Sequence, residues 1–181
     1  MVLTTERLVL RPWKVADAES LFYYAKDERI GPIAGWPAHQ SVEESREVIR
    51  NVFSQEGVFA VTLKGDDTTI GCIGLLTGSR SNFPIDEDEG EISYWIGVPY
   101  WGKGLIQEAM KEIIRYGFED LMLKCLWCGY FDGNEKSKRA QEKCGFRYYR
   151  TNKDVYCPLT RDVRTEHISR LTREKWSKSG V

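Results

Sequence analysis

The most restrictive stretch of this sequence runs from Glu91 to Phe118, EISYWIGVPYWGKGLIQEAMKEIIRYGF. It reads as an alternating strand, a glycine-lysine-glycine turn and a helix. In the helix, Leu105, Ala109 and Ile113 fall on one line and Ile106, Met110, Ile114 and Phe118 on the next, while Gln107, Glu108, Lys111, Glu112 and Arg115 take the other side. A strand that feeds a helix through glycines leaves the first helical N–H groups without partners. Those groups, with the helix dipole, form a socket for an anion, and phosphate is the first ligand to consider.

The rest of the chain supplies elements on both sides of this stretch. Arg7 to Arg11 reads as a half-buried strand, with Leu8 and Leu10 pointing one way and Arg7, Val9 and Arg11 the other. A helix is expected from Val15 to Ala25, and GPIAGWP, residues 31 to 37, is expected as a loop. Ser41 and Glu44 form a capping box ahead of Val48, Ile49, Val52 and Phe53. Val58–Leu63 and Thr69–Leu76 make a hairpin about Lys64-Gly65-Asp66-Asp67. After the central helix come a strand at Leu123–Phe131, a short helix capped by Asp132-Gly133-Asn134 and stopping at Gly145, and closing strands at Phe146–Arg150 and Thr165–Leu171. No repeat or low-complexity linker divides the chain. The order implies one α/β domain whose sheet is antiparallel early and has a parallel element about the central helix.

Composition narrows the function classes. The chain has 181 residues and is 41% hydrophobic, enough for one well-buried core and short for two domains. Its 26 basic and 27 acidic side chains give a net charge of -1, so no global basic field points to nucleic acid. MVLTTERLVLRPW carries charges early and no long apolar run, which argues against a signal peptide or a membrane span and for a soluble, cytoplasmic protein. The five cysteines are odd in number and scattered, as expected in a reducing compartment. Cys125 and Cys128 spell C-x-x-C, but on a strand that spacing sends the side chains to opposite faces, so they read as core residues and no metal site is expected. His39 and His167 are far apart in sequence, and a Cys-His nucleophile pair has little support.

Three segments together resemble the GNAT superfamily of N-acetyltransferases, and within it the RimJ/RimL-like branch of ribosomal-protein-alanine N-acetyltransferases. ERLVLRPW, residues 6 to 13, is similar to that branch's opening strand; EISYWI followed by YWGKGLIQEAM resembles its acetyl-coenzyme A motif; NEKSKRAQEKCGF, residues 134 to 146, resembles its second coenzyme-binding helix. The match spans residues 3 to about 176. It implies an α/β (α+β) fold, a single domain over residues 1–181, with a mixed, mostly antiparallel sheet of about six to seven strands flanked by about four helices. It also implies acetyl-CoA as acetyl donor, a primary amine as acceptor, and neither nucleic acid nor membrane as partner; the oligomeric state stays open.

The family's R/Q-x-x-G-x-G/A pattern falls on Trp101-Gly102-Lys103-Gly104-Leu105-Ile106. Trp101 suits the RimJ/RimL-like branch, whereas Ile106 stands where the pattern has a small residue and narrows the approach. By this resemblance the amides of Gly102, Lys103, Gly104, Leu105, Ile106 and Gln107 receive the pyrophosphate, Tyr94, Trp95 and Ile96 pair their backbone with the pantetheine arm, and Asn134 holds it. Glu91 matches the branch's strand glutamate, a general base acting directly or through water. Ser137 would protonate or hydrogen-bond the departing thiolate. Relatives outside the branch place a tyrosine acid seven residues after the asparagine; here that position is Gln141, which cannot protonate a thiolate.

Each reading has a plainer alternative. Gly97 to Gly104 is one residue short of the nucleotide-binding pattern G-x-x-x-x-G-K-[ST], but Gly104 has no hydroxyl for magnesium and Pro99, Tyr100 and Trp101 crowd the loop. Glu91 could continue the solvated run Asp86-Glu87-Asp88-Glu89, a run that could instead steer a cationic acceptor. Asn134 and Ser137 could serve as helix caps. Trp36 and His39 could line an acceptor pocket or simply pack. A coenzyme-binding module without catalysis is the alternative to an enzyme. Among acceptors, an α-amine with a pKa of ~8 is the easier substrate, because a lysine amine at ~10.4 costs about 3 kcal/mol more to deprotonate.

Overall fold

The hydrophobic lines of the central helix and the short alternating runs around it assemble into one eight-stranded sheet with helices. The structure, a computed structural model, describes residues 1–179. The strands are β1 Leu3–Thr4, β2 Leu8–Pro12, β3 Val58–Leu63, β4 Thr69–Thr77, β5 Glu89–Ile96, β6 Cys125–Phe131, β7 Arg147–Cys157 and β8 Asp162–Thr172. The helices are α1 Ala18–Ala25, α2 Gly31–Ala34, α3 Val42–Val48, α4 Leu105–Arg115, α5 Glu135–Lys143 and α6 Arg173–Ser179. The sheet order is β1-β2-β3-β4-β5-β6-β8-β7. Pairing is antiparallel for β1–β2, β2–β3, β3–β4, β6–β8 and β7–β8, and parallel for β5–β6. The mixed, mostly antiparallel expectation holds, but the described residues form eight strands and six α-helices, not six to seven and four. The additions are β1, α2 and α6.

By the density of their internal contacts the residues form two compact units, Met1–Gly74 with Tyr94–Ala109, and Leu75–Ser93 with Met110 onward. In the first, Leu8 and Leu10 are fully buried, and Trp13, Leu21, Ile49, Ala60 and Trp95 share one core. Alternation placed Arg11 on the polar side of β2, yet it is only 6% exposed. Its guanidinium is neutralised where it lies: Nη1 and Nη2 donate to the two Asp17 carboxylate oxygens at 2.8 Å each, and Nε donates to Asp67 at 2.6 Å. A buried charge is tolerated on these terms.

The expected loop at residues 31–37 contains a one-turn helix. Pro32 sits in its first turn, where no N–H is required, and Gly35 closes it at φ 91° with its N–H directed to the Gly31 and Pro32 carbonyls. The breakers thus frame a turn of helix. Ser41 caps α3 as expected, accepting from the Glu44 N–H at 3.0 Å, and Glu44 reaches back to the Gln40 N–H at 2.6 Å.

In the second unit, Phe83, Cys125, Trp127 and Ile168 form a small core against β6 and β8. Gly145, at φ 91°, ends α5 as expected, with the Phe146 N–H bonded to the Gln141 carbonyl at 3.1 Å. β7 and β8 are longer than their apolar residues suggest, because register shifts at Tyr148/Arg150 and Asn152/Val155 let polar segments continue the ladder.

Candidate active site

The turn after β5 owes its shape to residue types at fixed places. Val98–Tyr100 forms a single 3₁₀ turn containing Pro99, Gly102 and Gly104 each take φ 74°, and Leu105 begins α4. A Cβ on Gly102 would meet nothing within 4 Å, and one on Gly104 would come no nearer than 3.6 Å to Arg7 Nη2 and Gln107 Oε1. Space does not select glycine here; the left-handed backbone does. Arg7 braces the turn from β2's side: Nη1 donates to the Lys103 carbonyl at 3.1 Å, while Nε and the backbone N–H donate to the two Glu108 oxygens at 2.7 Å each. Trp101 Nε1 donates to the Ile96 carbonyl at 2.9 Å, tying the turn to the end of β5. The Glu108 N–H bonds back to the Gly104 carbonyl at 3.1 Å, an i−4 bond at the start of α4. The Lys103 ammonium lies 5.5 Å from the Tyr100 ring centre.

Among the strand residues, Trp95 and Ile96 are buried and Tyr94 is half-buried. Trp95 packs on Trp36 with ring centres 6.1 Å apart, so its side chain belongs to the core. The parallel ladder of β5 with β6 covers Glu89–Glu91, and Tyr94 to Ile96 lie beyond it in sequence.

Glu91 is not part of a solvated acidic run. It is 4% exposed, and it accepts from Ser81 Oγ at 2.8 Å, the Asn82 N–H at 2.6 Å and Asn82 Nδ2 at 3.0 Å. Within the preceding run, Asp88 pairs with Lys124 and Glu89 accepts from Trp127 Nε1 at 2.9 Å, so two of those carboxylates have structural partners.

Asn134 caps α5, its Oδ1 accepting from the Ser137 N–H at 3.2 Å. One helical turn on, Gln141 is 1% exposed and organises its neighbours. Its Nε2 donates to the Gly129 carbonyl at 3.1 Å and to Ser137 Oγ at 3.2 Å, and its Oε1 accepts from Ser169 Oγ at 2.8 Å. Asn134 and Ser137 are thus brought together with Gln141, and Glu91 with Ser81 and Asn82. Sequence reasoning dismissed Gln141 as an acid without seeing it as a support; the i, i+4 spacing from Ser137 was the available signal. Replacing it by leucine is expected to lower unfolding free energy by about 2–4 kcal/mol, since a buried carbonyl and two hydroxyls lose a partner; urea unfolding measures this, and a loss under 0.5 kcal/mol would refute the role.

His39 has a partner that sequence could not identify. Its Nδ1 lies 2.7 Å from Ser45 Oγ, it is 7% exposed, and burial lowers its pKa, so it packs as a neutral ring against Trp36. All five cysteines are buried free thiols. Burial lifts the Cys125 thiol to about 11 and the Cys128 thiol well above its ordinary value, and Cys128 Sγ donates to the Ile92 carbonyl. These are packing residues, as their strand spacing implied. Among the described residues no helix is long and apolar enough to cross a membrane.

The described residues thus supply a left-handed glycine turn at a helix start, a buried strand carboxylate, and a helix-start serine held by a glutamine. Comparison with known proteins identifies the family. The sequence matches the family described as "Acetyltransferase (GNAT) domain" over residues 7–147. It is 34% identical over 128 residues to "Uncharacterized N-acetyltransferase p20" of Bacillus licheniformis, covering 67% of this chain and 68% of that protein. It is 39% identical over 75 residues to "Putative ribosomal N-acetyltransferase YdaF" of Bacillus subtilis (strain 168), covering 40% of this chain and 41% of that protein. The fold is similar to the crystal structure of a GNAT-family acetyltransferase from Bacillus anthracis, with a TM-score of 0.82 at 22% identity, over 96% of this chain and 99% of that one. The chain belongs to the GNAT family and is an acetyl-CoA-dependent N-acetyltransferase.

Proposed function

We propose that the chain acetylates a protein N-terminal α-amine, in the manner of the RimJ/RimL-like branch, with small-molecule amines as the second acceptor class. The observation that carries the donor half of this reading is the left-handed Gly102–Gly104 turn braced by Arg7. It suits an anion bound by backbone amides, with no requirement for the Lys103 charge. In this reading the amides of Gly102 to Gln107 take the pyrophosphate, and the backbone of Tyr94, Trp95 and Ile96 pairs with the pantetheine arm as an added strand would. Asn134 uses Oδ1 for its cap and offers Nδ2 to a pantetheine carbonyl. Acetyl-CoA, when bound, supplies an activated thioester carbonyl. Glu91 is the carboxylate that receives the acceptor amine, directly or through water, and Ser137 hydrogen-bonds the departing thiolate. Similarity to a protein named as a ribosomal N-acetyltransferase supports a protein acceptor, and five buried free thiols support a cytoplasmic setting.

The acceptor is tested by thiol release from acetyl-CoA with a panel of an alanyl peptide, a free lysine side chain and spermidine. The peptide is expected to react fastest at pH 7; faster acetylation of spermidine or lysine would overturn the α-amine assignment. Ser137→Ala is expected to lower kcat by ~10-fold or more, with acetyl-CoA affinity changed less than ~3-fold. Unchanged turnover would remove Ser137 from the chemistry.

A further inference from the structure

Two strands over from Glu91 in the sheet, β8 carries a second carboxyl that the reading above leaves without a role. Glu166 lies on β8, opposite Phe131 of β6 and Asn152 of β7. Gly129, on β6, gives it room: a Cβ there would come within 3.1 Å of Glu166 Oε1 and 3.0 Å of Phe83 Cζ. Glycine inside a strand marks such a close approach. The half-buried Glu166 carboxyl therefore sits over bare backbone, next to an aromatic ring, on the strand whose Gly129 carbonyl is held by Gln141.

The two carboxyls differ in what holds them. Glu91 accepts three donors from Ser81 and Asn82, which fix its orientation and occupy both of its oxygens. Among the described residues Glu166 has a single long hydrogen bond, from Asn152 Nδ2 at 3.5 Å. Burial raises the Glu166 pKa, and the charge of Glu91 raises it further, against the lowering effects of Asn152 and Arg150. Among the described residues the charges that bear on it are Glu91 and Arg150; β6 presents Gly129 and Phe131, the loop presents Phe83, and Arg164 is paired with Asp162 at 2.8 Å and lies over the Phe131 ring. A carboxyl saturated by protein donors is suited to hold a partner in place, and one with acceptor capacity left over is suited to take a proton.

We infer that Glu166 is the proton acceptor for the incoming amine and that Glu91, clamped by Ser81 and Asn82, is the fixed hydrogen-bonding partner that orients the ammonium. This rests on the acetyl-transfer reading above. The acceptor R–NH₃⁺ gives one proton to Glu166, and the neutral nitrogen attacks the thioester carbonyl carbon. The C–N bond forms and the C–S bond breaks. The second nitrogen proton passes to the departing thiolate by way of Ser137 or water, and Glu166 returns its proton to solvent. Phe83 and the Gly129 backbone keep the receiving carboxyl partly dry, which suits a base working near neutral pH.

The test is kcat/KM against pH for wild type, Glu166→Gln, Glu166→Asp and Glu91→Gln, using the fastest amine of the panel above, with acetyl-CoA titrated onto each protein calorimetrically. In wild type the rate falls as pH drops through the raised Glu166 pKa. Glu166→Gln is expected to lose that acidic limb and about 10²-fold in kcat/KM at pH 7, with acetyl-CoA affinity intact and the deficit shrinking at pH 9, where more amine arrives neutral. Glu166→Asp restores the limb, and Glu91→Gln moves it to lower pH by removing the neighbouring charge. An unchanged limb in Glu166→Gln, or a limb lost in Glu91→Gln alone, overturns the assignment. Failure of wild type to bind acetyl-CoA would instead overturn the donor reading. As a measurement independent of the acceptor, ¹³C NMR titration of the glutamate carboxyls should show one raised pKa that vanishes in Glu166→Gln; its persistence would refute the inference.

Discussion

Gly104→Val is expected to weaken acetyl-CoA binding by ~10²-fold or more while the protein still folds. The residue sits at φ 74°, a conformation that costs an ordinary L-residue about 1–2 kcal/mol and a β-branched one more. A Cβ there would touch nothing closer than 3.6 Å, so the strain is local and the core is untouched. The effect on ligand is larger than the strain. Relief of φ re-aims the amides at the start of α4, and a pyrophosphate bound by several N–H groups loses them together; two such bonds to a charged group account for ~3 kcal/mol or more. Lys103→Ala is the contrasting change, expected to alter affinity by less than ~5-fold, because an exposed lysine is not the source of the socket. Calorimetry on both variants checks the pair, and equal losses would refute a backbone-based site.

Asp17→Ala is expected to be the most damaging single change to stability outside the apolar core. Asp17 is 8% exposed and takes both guanidinium nitrogens of Arg11, itself 6% exposed, and its Oδ2 also accepts the Lys14 N–H at 2.8 Å. Removing the carboxylate leaves a buried guanidinium without its main partner, at a cost of about 3–5 kcal/mol. At ~2–4 °C per kcal/mol for a chain of this size, Tm should fall by ~10 °C. Asp67, the other Arg11 partner, is exposed, and Asp67→Ala should cost much less. Its carboxyl is held below the usual range by Lys14 and Arg11, so what it contributes is full above the ordinary carboxylate pKa and is lost only as pH falls through the lowered one. Thermal unfolding of the two variants at pH 7 decides the ranking; a Tm loss for Asp17→Ala no larger than that for Asp67→Ala would contradict it.

Arg11 also illustrates what could be read from sequence. Alternation in ERLVLRPW placed the two leucines correctly, because burial on one face of β2 follows from the two-residue period. It placed Arg11 outside, because its partners Asp17 and Asp67 are 6 and 56 residues away and periodicity carries no such information. The central helix was legible for the opposite reason: its apolar lines are local, and Leu105, Ala109, Met110, Ile113, Ile114 and Phe118 are all buried. The polar run Thr151–Cys157 was missed as strand because its ladder with β8 comes from backbone pairing across a bulged register. In the site, the glycine turn announced itself, whereas Glu91 looked solvated beside four acidic residues. It is buried because Ser81 and Asn82 fold back onto it, and Glu166 went unnoticed because a strand glutamate facing a glycine is visible only once β6 and β8 are paired.

Binding of acetyl-CoA at the Gly102–Gln107 turn is the proposal on which the others rest. The direct test is calorimetric titration of the wild-type chain with acetyl-CoA, with Mg-ATP as control ligand and Gly104→Val as control protein. Saturable one-to-one binding of acetyl-CoA to wild type is expected, with Mg-ATP inert and the variant weakened as above. Binding of Mg-ATP with none of acetyl-CoA would contradict it.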